Sequence, residues 1–148
     1  MSVDLATRAR RYGAFFETIQ ADRLDGFGDL VTEAIRFKDP FNDVRGVDRV
    51  VKLLAKMFDD ADDIRFRMRE LAGDGNVFFL RWHFTCRPKS RFLSSEWQVD
   101  GISVVTLTEA GLVAEHVDYW DAAEQLYGRL PLVGPFLRLV SRPLTIRD

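Results

Sequence analysis

The sequence predicts an α+β fold in which N-terminal helices pack on a strongly curved antiparallel sheet, with a helical segment at the C-terminus. Three observations carry that expectation. Apolar residues recur at helical spacing as far as Phe58, then at every second residue from Ile64 onward. The turn signals Gly73-Asp74-Gly75-Asn76, Pro88-Lys89-Ser90 and Glu109-Ala110-Gly111 divide the second half into hairpin-sized pieces. Beyond Trp120 the apolar spacing becomes helical again, interrupted by Pro131 and Pro135.

The elements follow in order. Leu5, Ala9, Tyr12, Phe16 and Ile19 alternate spacings of four and three and form one stripe on a first helix. A second, short helix carries Leu24, Phe27 and Val31. Gly26 and Gly28 weaken it, each costing about 1 kcal/mol in a helix interior. Ala34 to Pro40 reads as extended, because a residue before proline is pushed out of the helical region, and 42–46 reads as a loop. Val47, Val50, Val51, Leu54 and Phe58 share one face of a third helix over 47–58, which ends in the acidic run 59–63, unfavourable to the helix dipole. Ile64, Phe66 and Met68 alternate with Arg65, Arg67 and Arg69 on a half-buried strand. Strands are expected over 77–87, over 95–108 with a bulge and bend at Gly101, and over 112–120. In the tail, the spacing of Leu126, Leu130, Val133, Leu137 and Val140 suits packing on the domain. Arg129, Arg138 and Arg142 leave a lid, a dimer element and a surface-membrane contact as alternatives.

Composition narrows the function classes. A chain of 148 residues, 47% hydrophobic and 30% charged, is expected to form one domain with its own core, and the net charge of −2 offers no general attraction to nucleic acid or anionic membrane. The single Cys86 excludes an internal disulfide and reads as a small buried hydrophobe. No signal-peptide pattern opens the chain, and no apolar run reaches the ~18–20 residues of a membrane span, so a cytoplasmic location without membrane or nucleic-acid partner is expected. Nucleotide-binding, serine-hydrolase and zinc-protease motifs are missing. With two histidines and one cysteine, no metal and no cofactor are expected.

The element order, read with Phe37-Lys38-Asp39-Pro40 and Glu115-His116-Val117-Asp118-Tyr119-Trp120-Asp121, resembles the nuclear-transport-factor-like superfamily. Its members include ketosteroid isomerase, the SnoaL-type polyketide cyclases and limonene epoxide hydrolase. The resemblance spans roughly residues 8 to 125, with 126–142 as a helical extension. It implies a sheet wrapped into a cone-shaped pocket, a ligand entering between sheet and helices, and a homodimer packed through the outer sheet face.

The resemblance also implies roles. Asp39, before Pro40, stands where ketosteroid isomerases carry their base. Their oxyanion tyrosine falls at Phe15 and their protonated aspartic acid at Ser103, so both strong donors are replaced. Tyr12 lies one helical turn away and Ser103 keeps a hydroxyl, but steroid isomerisation is not expected. On the last strand His116, Asp118 and Trp120 point inward, and Asp118 matches the acid/base of the cyclases, with Asp121 second. The Arg/Asp pair of the epoxide hydrolases would be Arg81 and His83, without the aspartate.

Simpler readings stand beside these. Asp before Pro is a common turn former, and a histidine and a carboxylate two apart on a strand also make a satisfied polar pair at a rim. Arg81 and His83 suit a solvated face, and Trp82, Trp97, Trp120, Phe15 and Phe79 suit core and pocket wall. The expectation is a cofactor-independent isomerase, cyclase or dehydratase moving a proton on a small hydrophobic, oxygenated substrate. Asp39, His116 and Asp118 would be catalytic, with Tyr12, Phe15, Trp82, Ser103 and Trp120 around the substrate. The rival is a non-catalytic ligand-binding or dimerisation module of the same fold.

Overall fold

The structure, a computed structural model, describes residues 2–93 and 95–146. Asp4 opens helix α1 (Leu5–Glu17), its carboxylate accepting from the backbone N–H groups of Ala6 and Thr7, which have no partner within the first turn. Ala9, Tyr12 and Phe16 lie on its buried face. The next segment, Ala21–Asp29, is a kinked 3₁₀ helix and not an α-helix, in keeping with two glycines in nine residues, and it buries Leu24 and Phe27.

The chain extends earlier than expected, in β1 (Val31–Lys38), which buries Val31, Ile35 and Phe37. A short strand β2 (Asp43–Arg45) replaces the expected loop and pairs with the end of β1. Arg36 ties this edge together, reaching Asp43 at 2.8 Å and Glu115 at 3.1 Å. Helix α2 (Val47–Asp60) buries Val50 and Leu54 and runs two residues into the acidic stretch before passing directly into β3 (Ala61–Asp74). Strands β4 (Val77–Pro88), β5 (Trp97–Leu107) and β6 (Val113–Tyr119) follow.

The sheet is open, in the order β2-β1-β6-β5-β4-β3. It is mixed, whereas the sequence predicted an antiparallel sheet throughout: β1 and β6 run parallel and every other pair is antiparallel. A parallel pair needs a long crossover, and α2 with the intervening strands supplies it. Alternation along β4 sends Phe78, Leu80, Trp82, Phe84 and Cys86 to the buried face. Arg81 and His83 point outward, to Glu70 and Asp100.

Gly101 has a different role from the one its position suggested. The β4–β5 ladder passes through Trp82↔Gly101 without a shift, and the irregularities lie at Val31/Arg36 in β1, at Asp62/Arg65 and Met68/Glu70 in β3 and at Thr106/Leu107 in β5. Gly101 is instead the floor under the Trp82 indole, where an added Cβ would come within 2.5 Å of the ring.

In the tail, Asp121 caps α3 (Ala122–Gln125). The Gln125 amide exchanges hydrogen bonds of 2.7 and 3.0 Å with the Asp100 backbone, so α3 is clamped to β5. Helix α4 (Val133–Ser141) departs from the expected packing: Val133, Phe136, Leu139 and Val140 of its apolar side are exposed. No helix among the described residues is long and apolar enough to cross a membrane.

Candidate functional site

Helices α1 and α2 and the concave sheet face enclose a cavity of about 790 Å³. Its wall follows from the period-2 pattern of the strands and the period-3.6 pattern of α1. Tyr12 and Phe16, four residues apart, face inward together, and Phe37, Phe66, Trp82 and Phe84 arrive from β1, β3 and β4. All three tryptophans of the chain, Trp82, Trp97 and Trp120, line it.

A chain of polar side chains is set into this apolar wall. The indole Nε1 of Trp82 lies 2.8 Å from Ser103 Oγ, Ser103 Oγ lies 2.5 Å from Asp118 Oδ1, and His116 Nε2 lies 2.6 Å from that same oxygen. His116 Nδ1 is 2.8 Å from the Tyr12 hydroxyl. Cross-strand register assembles it: Ser103 stands opposite Asp118, and Phe37 opposite His116. The Phe37 ring stacks on the imidazole with centroids 4.2 Å apart.

The proton positions follow from which groups can only donate. An indole N–H has no acceptor role, so Ser103 accepts from Trp82 and directs its own hydrogen to Asp118. Burial and the neighbouring Asp118 carboxylate push the Tyr12 hydroxyl well above the usual tyrosine range, so it keeps its proton; facing a neutral imidazole, it donates to His116 Nδ1. His116 then carries its hydrogen on Nε2 and donates to Asp118 Oδ1. His116 is 3% exposed and Ser103 5%, and no buried polar side-chain atom among the described residues lacks a partner. Asp118 uses Oδ1 for both bonds. Among the described residues Oδ2 accepts none, and the residue lines the cavity.

Asp39 lies at the mouth. Its Oδ1 accepts from the backbone N–H groups of Phe41 and Asn42 at 2.8 and 2.7 Å, and the Asn42 side-chain amide reaches both carboxylate oxygens. This is the turn geometry that Asp before Pro favours. Trp120 lines the same mouth, edge-on to Phe41 and Trp97.

Phe15 is not on the cavity wall. One position along the helix from Phe16 is a rotation of about 100°, which turns Phe15 toward Phe27 and a shallow outer cleft. Phe16 takes its place, as the stripe containing Tyr12 and Phe16 already indicated. Cys86 lines the cavity as a thiol, its pKa pushed up to about 11 by burial and by the Glu96 carboxylate. No cluster of metal-ligating side chains occurs among the described residues.

Known proteins fall in line with this architecture. The chain superposes on a protein from Jannaschia sp. CCS1 provisionally named a SnoaL-like polyketide cyclase, at 16% identity and a TM-score of 0.70, over 84% of this chain and 92% of that one. An epoxide hydrolase of M. tuberculosis matches at 18% identity and a TM-score of 0.68, over 91% and 96% of the two chains. A hypothetical protein of Catenulispora acidiphila with a ketosteroid-isomerase-like fold, solved with trimethylamine, matches at 11% and 0.68, over 85% and 92%. At such identities the likeness is one of fold. No curated protein matches in sequence. The model of the SnoaL-like domain matches residues 12–116, which takes in Tyr12, Trp82, Ser103 and His116 of the polar chain and stops short of Asp118, and the protein belongs to the SnoaL-like family.

Proposed function

We propose that the protein binds a hydrophobic, oxygen-bearing small molecule in this cavity and moves a proton on it without a cofactor, with Asp118 as the acid/base. The observation that supports this is the Asp118 carboxylate in an apolar cavity, with one oxygen fixed by Ser103 and His116 and the other open to a ligand. In such a step Oδ2 accepts a proton from carbon next to a carbonyl, and the C–H electron pair becomes part of an enolate. Where a C=C bond adjoins that carbon the enolate is a conjugated dienolate, and return of the proton to its far carbon shifts the double bond and completes an isomerisation. His116 acts through Asp118, since both its ring nitrogens are engaged. Tyr12 holds the imidazole tautomer, and Trp82 and Ser103 hold the carboxylate rotamer. Asp39 contributes at the rim, where it holds the Phe41–Asn42 turn.

A second reading, a ligand-binding module without turnover, draws on a different observation. Among the described residues every buried donor in the cavity is already committed, so none of them stands free to meet the oxygen of an enolate. One experiment separates the two. Three tryptophans line the cavity, so binding of fused-ring ketones and lactones is read by intrinsic fluorescence, and product formation by the same compounds is followed by NMR. Catalysis predicts a product, with kcat lowered about 10²–10⁴-fold in Asp118→Asn while binding persists. Ligands that bind but never turn over leave the module reading.

A further inference from the structure

Helix α4 leaves its apolar face unburied. In helical projection Leu132, Val133, Phe136, Leu137, Leu139 and Val140 fill one continuous arc, and Arg138, Ser141 and Arg142 fill the other side. A surface helix of a globular domain buries such an arc. Here the helix buries Gly134, where an added Cβ would strike the Gly128 carbonyl, and presents the arc to solvent. Leu132 is 88% exposed and Phe136 63%, and Leu144 and Ile146 beyond the helix are also exposed.

Charge in this segment is equally one-sided. From Leu126 to Ile146 the chain carries Arg129, Arg138 and Arg142 and no aspartate or glutamate, within a protein of net charge −2. Among the described residues none of these arginines lies within ion-pair distance of a carboxylate. An exposed apolar arc flanked only by cations complements one kind of surface.

We propose that this segment seats the protein on an anionic lipid bilayer, lying in the interface with its apolar arc in the acyl boundary and its arginines at the level of the phosphates. A second copy fits less well. It would set like charges against these arginines, and one nine-residue helix with its flanks falls short of the roughly 20–30 residues a side of a stable interface. The segment also starts at the cavity rim. Gln125 is clamped beside Trp97, and Tyr127 packs edge-on to Phe41, both Trp97 and Phe41 lining the cavity. Seating α4 on a bilayer brings the cavity mouth to the lipid surface, where hydrophobic molecules partition.

The test is flotation of the full-length protein with vesicles of phosphatidylcholine alone and of phosphatidylcholine with phosphatidylglycerol. The expected result is flotation with the anionic vesicles, lost with neutral ones and weakened in high salt. A Phe136→Ser/Leu139→Ser variant and an Arg138→Glu/Arg142→Glu variant should each bind at least about tenfold more weakly. All four side chains are exposed, so thermal unfolding should be unchanged in both. No flotation of the wild-type protein overturns the proposal, as does flotation that neither variant reduces. Concentration-dependent self-association abolished by both variants, without vesicle binding, assigns the surface to a second copy and overturns it too.

Discussion

Asp118 divides its labour between its two oxygens, and its neighbours enforce the division. Removing the Tyr12 hydroxyl leaves His116 Nδ1 buried without a donor, so Tyr12→Phe should lower stability by about 1–3 kcal/mol in urea unfolding. Burial raises the Tyr12 pKa, so the folded state resists its ionisation. In an alkaline titration followed by tyrosinate absorbance, the Tyr12 signal should appear only on unfolding. Cys86 behaves alike. With its thiol pushed up to about 11, alkylation should be slow near pH 8 and keep accelerating toward pH 11, and a ligand filling the cavity should slow it further. Part of this was legible in the sequence. Strand alternation puts His116, Asp118 and Trp120 on one face and the family resemblance implies that this face is inward, while the Tyr12–Phe16 stripe follows from helical period. The Tyr12–His116 bond was not, because it joins residues 104 positions apart and depends on how α1 settles across the sheet.

Elements succeed or fail as expectations according to length and patterning. Helix α2 and strands β4 and β5 lie close to where periodicity places them, since each offers several repeats of its pattern. Strand β2, three residues long, is too short to show a period, and its pairing depends on where β1 ends. The parallel contact of β1 with β6 is a choice of topology that no local pattern encodes. Gly101 shows how a correctly noticed residue misleads when its reason is non-local: glycine is needed there for the indole across the ladder. Gly101→Val should therefore displace Trp82, break its bond to Ser103 and cost about 1–3 kcal/mol or more, as overpacking does. A lowered melting temperature with a changed tryptophan spectrum is the expected signature, whereas an unchanged spectrum would remove Trp82 from the support of Asp118.

At the scale of the whole molecule, function follows from asymmetry. The cavity is almost wholly apolar apart from the Tyr12–His116–Asp118–Ser103 chain in its wall and charged groups such as Asp39, Lys56 and Lys89 toward its mouth. On the proposed function, a ligand would be selected by shape and hydrophobicity along its length and by one oxygen-bearing group where it meets Asp118. The sequence alone pointed to the fold, and it offered Asp39 as the base with His116 and Asp118 assisting. It did not show which carboxylate stays open to a ligand, because that depends on Asn42 folding back on Asp39 and on Ser103 arriving opposite Asp118. The most direct measurement is hydrogen–deuterium exchange at carbon next to the carbonyl of a bound ketone in D₂O, since it detects proton transfer before any product is known. Exchange that the wild-type protein and Asp39→Asn both accelerate, and that Asp118→Asn abolishes, is the predicted result. Exchange equally fast in Asp118→Asn, or absent with every ketone that binds, would contradict an acid/base role for Asp118.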